Sequence, residues 1–118
     1  DSKLLLTGMS DGGTFTYVCG MREASPFTHL APSSASFHPQ LLDNFPSERI
    51  HDLPIYLMHG VLDWMFPIDI ARAANQALEA AGANVVYREI DDLSHTYPRD
   101  ENPRILDWFL HDRVPNQD

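Results

Sequence analysis

Three side chains in this 118-residue chain have the types needed for nucleophilic acyl transfer. Ser10 stands in Gly8-Met9-Ser10-Asp11-Gly12, Asp63 in "PIYLMHGVLDWMF" and His95 in "DDLSHTYP". A serine hydroxyl is a weak nucleophile at neutral pH. A histidine can take its proton, and a carboxylate can fix the imidazole tautomer and stabilise the imidazolium. Small residues two before and two after the serine, Gly8 and Gly12, suit a sharp strand-to-helix turn in which the two elements approach closely. Such a turn lifts the hydroxyl above a sheet and places a helix N-terminus beneath developing negative charge. Singly, each residue has a plainer reading: a glycine-rich turn, a loop carboxylate ahead of a helix, an exposed loop histidine. Their joint placement carries the argument.

That placement depends on the elements around them. Residues 3–7 read as a short strand, with Leu4, Leu5 and Leu6 an unbroken apolar run of the kind buried on both faces of a parallel sheet. Residues 11–21 form a helix despite Gly12 and Gly13, and 27–31 a second, weaker strand. Residues 32–53 contain Pro32, Pro39 and Pro46 and read as a long connection. A strand over 55–59 follows Pro54. Pro67 takes a first helical position, and "IDIARAANQALEAAG" places Ile70, Ala74, Ala77, Leu78 and Ala81 on one face, with Gly82 as the stop. Residues 84–90 make a β-branched and aromatic strand. Asn102 caps a last helix with Pro103 at its first position and a stripe of Ile105, Leu106, Phe109 and Leu110. This alternation predicts an α/β fold with a mostly parallel sheet. Functional groups of such folds gather beyond the carboxyl ends of strands, where Ser10, Asp63 and His95 all fall, in that chain order.

Bulk properties narrow the partners. Eight Lys and Arg against 17 Asp and Glu give a net charge of −9. That argues against nucleic acid and anionic membrane surfaces. Cys19 is the single cysteine, so no internal disulfide forms. No run approaches a membrane span. His29, His38, His51 and His111 lack metal-ligand spacing, so no metal or other cofactor is expected. His59, at a strand end, reads as a structural residue that positions the Asp63 loop. The single thiol and the absence of a visible leader lean toward a cytoplasmic protein, although Asp1 is not a natural start.

"LTGMSDGGTFTY", "LPIYLMHGVLDWMFPI" and "DLSHTYP" resemble the phospholipase/carboxylesterase branch of the α/β-hydrolases, and the esterases related to polyhydroxybutyrate depolymerases. The resemblance runs from Asp1 to about Leu110, with spacings in that family's usual range. It implies that Ser10 is the nucleophile, His95 the general base and acid, and Asp63 the residue orienting His95. The Asp11 backbone N–H becomes one oxyanion donor, and its side chain a helix-start carboxylate. Met9, Trp64, Met65 and Phe66 become candidates for lining the substrate pocket, the last three on its acyl side, with core packing as the plainer alternative.

The family fold has about four strands and two helices before the nucleophile strand, and an early loop there gives a second oxyanion donor. The 118 residues are therefore expected to form a single partial domain, the carboxyl-terminal half of a hydrolase, with weak or no activity alone. The expected substrate is a small-molecule ester. Expected protein partners are the missing amino-terminal half, or a homodimer formed through the edge of the first strand. A thioesterase, a prolyl-oligopeptidase-type peptidase and a non-catalytic module that pairs through that edge remain open.

Overall fold

The structure, a computed structural model, describes residues 3–115; Asp1, Ser2 and residues 116–118 lie outside it. Its centre is a four-stranded parallel sheet in the order β1-β2-β3-β4, with β1 Leu5–Met9, β2 His29–Ser33, β3 Pro54–Gly60 and β4 Asn84–Ile90. The helices are α1 Asp11–Gly20, α2 Ser47–Ile50, α3 Ile68–Ala80 and α4 Asn102–His111. The α/β alternation is as the sequence predicts.

Side-chain alternation along the strands splits the core between the two faces of the sheet. Ile55 and Leu57 pack with Tyr17, Leu30, Ala74 and Leu78. Tyr56 and Met58 turn the other way, to Ala31, Val86, Ile105 and Trp108. The pairing is uneven. β3 and β4 match rung by rung from Pro54↔Asn84 to Gly60↔Ile90. Between β2 and β3 the matched positions are Leu30↔Ile55 and Ser33↔Met58. Pro32, inside β2, has no N–H to give the ladder.

Several local expectations are corrected. β1 begins later than residue 3 and is not buried on both faces. Among the described residues it pairs with β2 alone and forms a sheet edge, so Leu5 and Leu6 are half-buried and Leu4 is 44% exposed. β2 runs on through Pro32, the residue at which the sequence predicts the start of a loop. The connection from 32 to 53 contains a 3-10 turn at Pro39–Asn44 and the short helix α2. Pro67 precedes α3 rather than opening it. Asn102 is not a cap. A 3-10 turn at Arg99–Glu101 leads straight into α4, so Asn102 already has helical angles, φ −54 and ψ −45, whereas a cap needs non-helical ones. Its side chain instead accepts a 2.5 Å hydrogen bond from the Tyr97 hydroxyl. Gly82 does end α3, at φ +94.

Candidate active site

Ser10 occupies the turn between β1 and α1 at φ 60 and ψ −121, a left-handed backbone that a residue with a Cβ rarely adopts. The surroundings enforce it. Ser10 N–H donates to Ser33 O at 2.9 Å, and Thr14 N–H donates to Ser10 O at 3.0 Å. A Cβ on Gly8 would lie 2.4 Å from Gly12 O, so only glycine lets the strand pass this close to the helix. On the helix side the tight position is Gly13, not Gly12. A Cβ on Gly13 would meet Ala35 Cβ and Ser33 O at 2.8 Å, whereas one on Gly12 would meet nothing within 4 Å.

Asp63 follows β3 and is 6% exposed. Its Oδ1 accepts hydrogen bonds from the N–H groups of Met65 at 2.9 Å and Phe66 at 2.8 Å, and its Oδ2 faces His95 Nδ1 at 2.8 Å. Burial alone would raise the carboxyl's pKa. The bonds from Phe66, His95 and Met65 outweigh it and hold the group below its ordinary value, so Asp63 is a carboxylate. Buried His59 works on the same turn, with Nε2 2.7 Å from Phe66 O and 3.5 Å from Asp63 Oδ2. Accepting at the Phe66 carbonyl requires the His59 proton on Nε2.

His95 lies in the loop after β4. Its Nε2 is 2.9 Å from Ser10 Oγ. The Asp63 carboxylate can only accept, so it fixes the His95 proton on Nδ1 and leaves Nε2 free to accept from the Ser10 hydroxyl. Three groups from the turns that follow β1, β3 and β4 thus form one continuous hydrogen-bonded chain. Gly60 lets the His95 loop lie down, since a Cβ there would stand 2.2 Å from Leu93 O. The rings of Phe66 and Trp64 stand edge-on to His95, with centroids 5.4 and 6.4 Å away. Met65 is 45% exposed beside them, and Met9, half-buried at the end of β1, pairs with Ser33. Asp11 opens α1, where a backbone N–H has no carbonyl a turn earlier to bond.

Sequence reading missed a buried ionic cluster behind this loop. Glu101 Oε1 accepts from Tyr56 Oη at 2.7 Å and Arg88 Nε at 3.0 Å, while Oε2 accepts from Arg88 Nη2 and Arg104 Nη1, both at 3.1 Å. The signal was present: Arg88 shares the inward parity of Val86, so it needed a buried acceptor. Among the described residues no group of three or more His, Cys, Asp or Glu could hold a metal, and no helix is long and apolar enough to cross a membrane.

The profile of a family described as Phospholipase/Carboxylesterase matches residues 1–110. Among solved structures, Arabidopsis thaliana SOBER1 superposes with a TM-score of 0.77 at 25% identity, over 89% of this chain and 50% of that chain. Esterase PE8 gives 0.76 at 23% identity, over 90% of this chain and 50% of that chain. Zea mays acyl-protein thioesterase 2 gives 0.72 at 22% identity, over 92% and 55%. The chain therefore spans about half the length of these structures. No curated protein sequence matches it.

Proposed function

Since the chain belongs to the phospholipase/carboxylesterase family, we propose that it carries the reaction centre of a serine carboxylesterase, with Ser10, His95 and Asp63 as its catalytic triad. The supporting observation is the unbroken relay from Ser10 Oγ to His95 Nε2 at 2.9 Å and from His95 Nδ1 to Asp63 Oδ2 at 2.8 Å. Ser10 Oγ attacks the ester carbonyl as His95 Nε2 takes its proton. The tetrahedral oxyanion accepts from the Asp11 N–H at the start of α1. His95 returns the proton to the leaving oxygen, and the C–O bond breaks to give an acyl-enzyme on Ser10. Water, deprotonated by His95, then releases the acid.

Asp11 is the donor we place beside the nucleophile among the described residues. One oxyanion donor is worth ~10²–10³ in turnover, and with Asp11 as its donor the 118-residue chain is expected to be a weak esterase on its own. The edge of β1 is the surface we assign to a strand partner, either a further segment of hydrolase sheet or a second copy. Sedimentation over a range of concentrations separates the two.

The test is intact mass after exposure to an alkyl fluorophosphonate. One phosphonyl group per chain, absent in Ser10→Ala, is expected. No Ser10-dependent adduct refutes the assignment.

A further inference from the structure

We infer that Trp64 is the wall of a leaving-group subsite, and that the preferred esters carry a neutral, flat, apolar alcohol such as an aryl group. This rests on the triad reading and moves Trp64 from the acyl side of the pocket, where the family resemblance places it, to the alcohol side. Trp64 follows the buried Asp63 directly, yet is itself 74% exposed. Leu62 and Met65, on either side of it in the Asp63 turn, are exposed as well, so the turn carries three exposed apolar side chains, and contiguous apolar surface of this kind marks a binding site. Its ring centroid lies 6.4 Å from that of His95 at an interplanar angle of 67°.

The chemistry of His95 says which group arrives there. Nε2 must serve two oxygens in turn, Ser10 Oγ on attack and the leaving-group oxygen on collapse. The leaving group therefore passes beside the imidazole. The carbonyl oxygen is drawn the other way, to the Asp11 N–H at the start of α1. A side chain packed beside His95 meets the alcohol portion. Phe66 is half-buried and fixed through its own N–H to Asp63 and its carbonyl to His59, so it props His95. Trp64 presents the open surface. Asp91 and Asp92, both exposed at the start of the His95 loop, together with the net charge of −9, disfavour an ester whose alcohol portion carries a negative charge of its own before cleavage.

The experiment compares two phosphonylating probes that share one alkyl phosphonyl group, one losing fluoride and the other p-nitrophenolate. In both, Ser10 Oγ forms the new P–O bond, the P–F or P–O(aryl) bond breaks with its electron pair, and His95 takes the hydroxyl proton. The rate of adduct formation is followed by intact mass on the 118-residue chain, on Trp64→Ala and on Trp64→Phe. Loss of an aromatic contact is worth about threefold to tenfold in rate. Trp64→Ala should slow the aryl probe by that factor, leave the fluoride probe within about twofold, and be largely rescued in Trp64→Phe. Lengthening the alkyl chain on phosphorus should leave the Trp64→Ala effect unchanged. Equal effects on both probes, no effect on either, or an effect that grows with alkyl length overturns the subsite. Absence of Ser10-dependent labelling by both probes in the unmutated chain overturns the triad itself, and the subsite with it.

Discussion

Gly60→Ala displaces the proposed general base without touching it. The new Cβ would stand 2.2 Å from Leu93 O, 2.7 Å from Leu93 C and 2.8 Å from Ser94 O. Non-bonded contacts of carbon settle at roughly 3.5 Å, so the loop backbone must retreat by about 1 Å. It cannot slide freely, because Leu62 N–H holds Leu93 O at 3.0 Å and Leu93 N–H reaches Ile90 O at 3.3 Å. His95 is the residue after Ser94 and moves with it, which stretches the 2.9 Å contact to Ser10 beyond hydrogen-bond reach. A 1 Å error in a reacting group costs ~10² in rate, while overpacking of this kind costs about 1–3 kcal/mol of stability. A domain with about 5–15 kcal/mol keeps its fold under that load. The assay pairs fluorophosphonate labelling of Ser10 with far-UV circular dichroism and thermal unfolding. The expected result is labelling slowed about a hundredfold in a folded protein. Labelling within about threefold of the unmutated rate would refute the reasoning, because it would mean the loop absorbs the methyl group without moving His95.

Ser10→Gly should stabilise the fold by about 1 kcal/mol, because glycine takes the φ of 60 without the steric cost a Cβ brings; it abolishes labelling, and Ser10→Ala abolishes labelling without the rise in melting temperature. Glu101→Ala removes the carboxylate that Arg88 and Tyr56 share and should cost about 3–5 kcal/mol in urea unfolding, whereas the double variant Glu101→Leu, Arg88→Met should cost less, since an intact buried pair adds little net stability. Asp63, Glu89 and Glu101 are all held below their ordinary pKa, so between that range and the native values the unfolded chain binds more protons than the native one. Their stabilisation is complete above about pH 5, is lost as pH falls through the native values, and should be visible as an acid limb in melting temperature that Asp63→Asn flattens.

The fold was legible wherever one short-range pattern decided the local structure. Asn84–Ile90 pairs on both inward and outward residues, and its β-branched sequence fits nothing else. Ile68–Ala80 ends where a glycine at positive φ stops it. Pro32 misled because a missing N–H argues against a central strand, and β2 tolerates the loss while pairing with both neighbours. Asn102 has a capping side chain, but the 3-10 turn at Arg99–Glu101 hands its helix over already formed, and that turn leaves no short-range mark in the sequence. At the site, residue type, strand ends and chain order picked out the three residues the fold brings together. The glycines at 13 and 60 and the Glu101 cluster were hidden, since each answers to a segment distant in sequence.

The uneven sheet has a kinetic consequence. Ser10 follows β1, whereas Asp63 and His95 follow β3 and β4, and the fewest matched rungs, where Pro32 gives no N–H, lie between β2 and β3. A fluctuation that opens this seam parts the hydroxyl from the imidazole while both strand pairs stay intact. Such partial openings need less free energy than global unfolding. Reactivity at Ser10 is therefore a gauge of the seam: mild denaturant would silence the serine while most backbone amides are still protected from exchange, and a partner that clamped β2 against β3 would sharpen the site without adding one atom to it.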